Sequence, residues 1–107
     1  MINLSSPEYD YREIDDLIHG RIRFAIMACL SGAGSTDFNG LKMRVGGTDG
    51  NLSVNLRKLE DAHYIKIEKK FQNRKPHTIC HLTDRGRAAW TAYIKRIEAM
   101  ILSSAVD

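Results

Sequence analysis

Between residues 48 and 68 the hydrophobic residues of this chain change period, and few small folds accommodate that change. In "TDGNLSVNLRKLEDAHY", residues 48–64, Leu52, Leu56 and Leu59 recur at spacings of four and three, which places them on one face of a helix. In "YIKIEKKF", directly after His63, Ile65 and Ile67 alternate with Lys66 and Glu68, the period of a half-buried strand. A turn follows at "QNRKP", and the β-branched "HTICHL" supplies a returning strand. Ile79 and Leu82 have opposite parity in that strand, so its inward face stays open and a bulge is one way to reconcile them. A helix that runs straight into a hairpin is the constraint to which the remaining segments must conform.

Those segments read as helices. Ile14, Leu17, Ile18, Ile22, Ile26 and Leu30 form a stripe with Gly20 in its middle, which predicts two short helices or one kinked helix. "SGAGSTD" is punctuation, after which Asp37 caps a helix carrying Phe38, Leu41 and Val45. Gly46 and Gly47 end it, and Thr48 caps the next. After the hairpin, Thr83 caps a long helix whose stripe is Trp90, Tyr93, Ile94, Ile97 and Ile101. The expected fold is mainly α with a small antiparallel β-hairpin: a winged helix-turn-helix with a long C-terminal helix. It forms a single domain over residues 1–107, with a reading helix at about 48–62, a wing at about 64–82 and a C-terminal helix at about 83–102.

Several function classes find no residues here. A chain of 107 residues suits one compact domain and leaves no room for a separate sensor domain. Cys29 and Cys80 form neither a CxxC pair nor a dense framework, which fits a reducing, cytoplasmic setting. The start shows no signal architecture and no apolar run approaches the roughly 20 residues that span a bilayer, so no membrane partner is expected. Asp15 with Asp16 and Glu60 with Asp61 are neighbours that diverge on a helix, and no GxxxxGK loop or GxSxG elbow occurs, so no enzyme and no cofactor is expected. His77, Cys80 and His81 do not predict a metal site, because Cys80 and His81 point to opposite sides of a strand.

What remains is a surface. With the three leucines against the core, Asn51, Val54 and Lys58 turn outward, flanked by Asn55 and Arg57. Amide, methyl and cationic tips on a helix suit the major groove of B-DNA, where they match adenine edges, thymine methyls and guanine edges. Between Arg57 and Lys75 stand seven basic residues against three acidic ones, whereas residues 8–16 hold five acidic residues against Arg12 alone. The overall charge of +3 therefore conceals a polarised molecule with its positive end at the helix and wing. Lys69, Lys70, Arg74 and Lys75 are the wing residues placed to reach phosphates or a minor groove. The interleaved aromatics that single-stranded nucleic acid requires are lacking. A protein-docking winged helix without direct DNA binding is the alternative reading.

The stretch "TDGNLSVNLRKLEDAHYIKIEKKFQNRKPHTICHLTDRGRAAW", with "IHGRIRFAIMACL" and "TDFNGLKMRVG" before it, resembles the small winged-helix transcriptional regulators of the MarR and ArsR groups. The resemblance implies a homodimer that binds a palindromic double-stranded DNA site and represses transcription. It also implies that residues 48–58, including Thr48, lie in the major groove with residues 69–75 as the wing. Two positions depart from the pattern: His63 stands where glycine ends the reading helix, and Gly40 replaces the acidic residue of a capping box. A helix from Thr83 to Leu102 is about 30 Å long and overhangs so small a domain, exposing Ile97, Met100, Ile101 and Leu102. A second copy would cover that stripe, with Trp90, Ile94, Ile97, Met100 and Ile101 at the dimer interface; the other possible cover is the N-terminal segment folding back. A small-molecule effector near Trp90, the operator and the regulated genes stay open.

Overall fold

The structure, a computed structural model, describes residues 7–105. Helices α1 (Arg21–Ala33), α2 (Phe38–Val45) and α3 (Asp49–Asp61) precede a hairpin of β2 (Ile65–Gln72) and β3 (Lys75–Leu82), and α4 (Asp84–Ala105) closes the chain. A short strand β1 (Ser35–Asp37) joins the sheet, giving the order β1-β3-β2. The core gathers where all of these meet, from Ile26, Met27 and Leu30 of α1, Leu41 of α2, the three leucines of α3, Ile65, Cys80 and Tyr93.

The segment from Tyr11 to Leu30 contains one α-helix, not two. Tyr11–Glu13 is a single 3₁₀ turn capped by Asp10, and Asp15 Oδ1 accepts from the N–H groups of Leu17 and Ile18. A carboxylate that satisfies local backbone donors offers the chain an alternative to helix, so the apolar spacing at Ile14, Leu17 and Ile18 is met by turns that still bury Ile18. Strand β1 lies where only punctuation was expected. Three residues carry no period, and the strand exists because β3 has a free edge, onto which Thr36 pairs opposite Cys80.

The joint between α2 and α3 uses left-handed backbone at Gly46 (φ 86°) and Gly47 (φ 89°), conformations that glycine adopts without steric cost. Thr48 Oγ1 then accepts from Asn51 N–H, and Lys42 pairs with Asp49 across the turn. At the far end of α3, His63 is left-handed (φ 62°), as its position predicts. Tyr64 N–H donates to Leu59 O and His63 N–H to Glu60 O, the paired closure of a Schellman motif built on histidine.

The hairpin contains no bulge. Every pair from Ile65↔Leu82 to Gln72↔Lys75 is in continuous register, so Ile65, Ile67, Cys80 and Leu82 share the inner face and Ile79 lies on the other. Parity of the aliphatic residues left the face undecided because β3 buries Cys80 rather than Ile79. Asn73 (φ 51°) and Arg74 (φ 65°) close the hairpin as a two-residue turn of the primed type.

Helix α4 starts where Thr83 accepts from Gly86 N–H (2.9 Å) while its own N–H donates to Tyr64 O (3.1 Å). The Gly86 backbone passes so close to the Tyr64 carbonyl that a methyl group would overlap it. Further along, Trp90, Tyr93 and Phe24 form an aromatic cluster, and Tyr93 OH lies 2.8 Å from His19 Nδ1. Arg96 reaches back to the N-terminal segment, donating to Glu8 O and pairing with Glu13. That segment covers part of α4, leaving Ile97 and Met100 half-buried and Ile101 and Leu102 60% and 57% exposed. The radius of gyration is 16.5 Å, against about 13 Å for a compact chain of this length, as the projecting elements require.

Gly86→Ala should destabilise the protein by about 1–3 kcal/mol in urea unfolding, the cost of overpacking. Gly32→Ala, in open space on α1, should be neutral or stabilising by up to about 1 kcal/mol. Equal effects at the two sites would contradict the close approach at Tyr64.

Candidate nucleic-acid interface

Burial of Leu52, Leu56 and Leu59 fixes the rotation of α3 about its own axis. Asn51, Val54, Arg57 and Lys58 are consequently exposed, Val54 by 56%. Thr48 is exposed as well, with its hydroxyl engaged as the cap. Asn55 differs from its neighbours. It is half-buried, its Oδ1 accepts from Arg23 Nη1 (2.7 Å), and its Nδ2 donates to Asn51 O (2.7 Å). These two bonds use one acceptor site and one N–H of the amide and fix its orientation.

Arg23 was not singled out in the sequence. Its Nε donates to Leu17 O (2.5 Å), so the guanidinium ties the turn before α1 to the middle of α3. A side chain at Gly20 would collide with it. The one available signal was a charged residue directly beside the apolar stripe of α1, which also fits a solvated position.

In the wing, Lys69, Lys70, Arg74 and Lys75 are all exposed. Lys69 lies on the inner face and, with Arg57, Ser53, Asp49 and Glu60, rims an open groove of about 660 Å³ between α3 and the hairpin, floored by Leu56 and Ile67. Ser53 is an exposed residue of α3 that sequence reasoning left out, since a serine on a polar flank carries no signal of its own. Glu68, the acidic residue of the hairpin, lies on the opposite face. There His81 Nε2 is 3.0 Å from its carboxylate. That hydrogen bond, helped by the charge of Lys70, holds the Glu68 carboxyl below the usual carboxylate range.

Acidic residues of the N-terminal segment are drawn into internal contacts. Asp10 accepts from Arg12 through backbone and guanidinium, which holds its pKa low. Asp15 accepts from Tyr64 OH (2.6 Å), and burial together with this bond pushes the Tyr64 phenol up to about 12. Asp10, Glu13 and Asp15 thus have local partners in Arg12, Arg96 and Tyr64.

His77, Cys80 and His81 do not converge. Cys80 is buried in the core and His81 faces Glu68, and among the described residues no group of three or more His, Cys, Asp or Glu side chains is placed to hold a metal ion. Burial pushes the Cys80 thiol up to about 11. Among the described residues, no helix is long and apolar enough to cross a membrane. On α4, Ile94 is exposed, whereas Trp90 packs against Phe24 and Tyr93 of its own chain.

The profile of a family described as winged helix DNA-binding domain matches residues 22–101. An uncharacterized protein of Methanocaldococcus jannaschii is 37% identical over 76 residues, covering 71% of this chain and 83% of the relative. A transcriptional regulator homologue from Pyrococcus horikoshii superposes with a TM-score of 0.83 at 23% identity, over 91% of this chain and 97% of the other. BpsR of Bordetella bronchiseptica, whose DNA binding is regulated by 6-hydroxynicotinic acid, gives 0.69 at 15% identity, over 89% and 71% of the two chains. At these identities the solved structures share the fold.

The raised Cys80 pKa leads to a direct measurement. In a Cys29→Ser variant at pH 8, the remaining thiol should react with a disulfide reagent roughly 100-fold more slowly in the folded protein than after unfolding, because little thiolate is present. Equal rates in the two states would contradict its burial.

Proposed function

Because the chain belongs to the winged helix DNA-binding domain family, we propose that it is a sequence-specific double-stranded DNA-binding transcriptional regulator that acts as a homodimeric repressor. One observation carries this reading: Asn51, Val54, Arg57 and Lys58 of α3 and Lys69, Lys70, Arg74 and Lys75 of the wing are all exposed, and Arg57 and Lys69 line one groove between α3 and the hairpin. In this reading α3 lies in the major groove, with Asn51, Val54, Arg57 and Lys58 meeting base edges and nearby phosphates. Asn55 holds α3 in place through Arg23, and Thr48 keeps the first turn formed at the groove. Lys69, Lys70, Arg74 and Lys75 bind the neighbouring backbone.

The dimer is supported by the end of α4. Ile94, Ile101 and Leu102 are exposed there, beside the half-buried Ile97 and Met100, and a second copy would cover them. Pairing by a twofold axis would set two reading helices about 34–36 Å apart, one turn of DNA.

Fragments selected from random duplex DNA supply the binding site. With roughly eight phosphate contacts per dimer, log K against log salt should fall with a slope near −7. Lys70→Ala or Arg74→Ala should weaken binding to all sequences alike and flatten that slope by about 1 per lost contact. Asn51→Ala should instead alter sequence preference, by about 1–3 kcal/mol at the affected base pair. A protein-docking module would show no such slope, and unchanged duplex affinity in all three variants would remove α3 and the wing from the interface. Light scattering at micromolar concentration should return twice the 12.1 kDa chain mass; a monomeric mass would overturn the dimer.

A further inference from the structure

Beyond the cations, the wing carries an apolar feature that phosphate binding does not explain. Beyond the pair Ile67↔Cys80 five more pairs carry the hairpin to its turn, with Phe71 about 13 Å along β2 from Ile67. Strand β3 meanwhile keeps to the body through the pairing of Ile79 with Asp37 and a small pocket that Pro76, His77 and Thr78 share with Phe38 and Asn39. Near the end of the hairpin stands Phe71, 76% exposed, opposite Pro76. Strand parity puts Phe71 on the same face as Ile67 and Lys69, the face that looks into the groove beside α3.

The pair is built to be stiff. Gln72↔Lys75 closes a two-residue primed turn and so is a hydrogen-bonded pair, which makes the next pair, Phe71↔Pro76, a non-hydrogen-bonded one. The missing N–H of Pro76 therefore removes no bond to β2, and the two side chains approach closely. Lys69, Lys70, Arg74 and Lys75 surround this ridge, and no acidic residue occurs from residue 69 to residue 83. A partner for such a tip must be polyanionic and must offer an apolar crevice of about one ring's width. The minor groove of duplex DNA has both, with phosphate rims and deoxyribose walls. A stacking platform for unpaired bases would need several aromatic rings, and Phe71 is the lone aromatic residue of the hairpin from residue 65 to residue 82.

We propose that Phe71, backed by Pro76, is a minor-groove wedge. The flanking cations hold the two phosphate rims, and the ring enters between them at a flexible pyrimidine–purine step, bending the duplex. The wing then adds sequence preference through deformability, at a position where it makes no hydrogen bond to a base. This rests on the duplex binding proposed above and adds a mode of readout to it.

The test uses the full chain and the selected duplex, end-labelled for energy transfer, with either a TA step or a stiff A-tract under the wing. The unaltered protein should shorten the end-to-end distance and prefer the TA duplex. Phe71→Thr keeps a strand-forming residue but removes the ring; it should bind about 10-fold more weakly with an unchanged salt slope, and should lose both the bend and the TA preference. Phe71→Leu, which keeps apolar bulk, should retain most of each. If Phe71→Thr bends and discriminates like the unaltered protein, the wedge is refuted while the duplex-binding reading stands. If Phe71→Thr lowers the mass in light scattering, the ring serves contact between copies and the wedge is likewise refuted. Failure of the unaltered protein to bind any duplex in a salt-dependent manner would bring down both readings.

Discussion

Tyr64 is the residue on which the arrangement of the molecule hangs. Its N–H donates to Leu59 O and closes α3, and its carbonyl accepts from Thr83 N–H and lies within 3.0 Å of Thr83 Oγ1. Its hydroxyl donates to Asp15 in the turns before α1. Four parts of the chain, the N-terminal turns, α3, the base of the wing and the start of α4, are thereby held to one residue. Gly86 follows from this geometry, because α4 can approach the carbonyl only without a side chain there. The angle between α3 and the wing, and hence the groove that they share, is set at this junction. Surface contacts farther out contribute little by comparison, since exposed pairs such as Lys42 with Asp49 are screened and contribute at most about 1 kcal/mol.

The electrostatics follow the same logic of placement. A net charge of +3 is modest, yet cationic residues stand free on the wing while acidic ones at the opposite end of the sequence are engaged: Asp10 with Arg12, Asp15 with Tyr64, Glu13 with Arg96. Glu68 is turned to the far face of the hairpin and given His81. A field that is weak in total becomes directional because the cations are concentrated on the wing, where no acidic residue occurs from residue 69 to residue 83, although Asp49 and Glu60 rim the groove beside Arg57 and Lys69. Arg23, by contrast, donates to Leu17 O and to Asn55 Oδ1 and acts as a brace between the turn before α1 and α3.

Much of this was legible in one dimension. Helical and strand periods located α2, α3, α4 and the hairpin; Asp37, Thr48 and Thr83 were recognisable as caps, and Gly46, Gly47 and His63 as the left-handed ends of helices. Elements without a period were not legible. The turns at residues 14–20 imitate a helical stripe, and β1 is too short to show any pattern. The face of β3 was hidden because its buried residue is a cysteine flanked by Ile79, which sits on the other side.

For the site, sequence alone determined which residue types α3 turns outward, because the leucine stripe dictates the rotation of a helix about its own axis whatever it packs against. It also determined where the positive charge is concentrated along the chain. Only the tertiary structure decided how exposed each of those residues is: Asn51, Val54, Arg57 and Lys58 are exposed, while Asn55 is half-buried and bonded to Arg23 from 32 residues away. It likewise decided that Phe71 stands in the open on the groove side and that Gly86 admits no side chain. Periodicity reports how a segment sits on its own core, whereas hydrogen bonds and close approaches between distant segments depend on how the elements meet, and no local pattern encodes that.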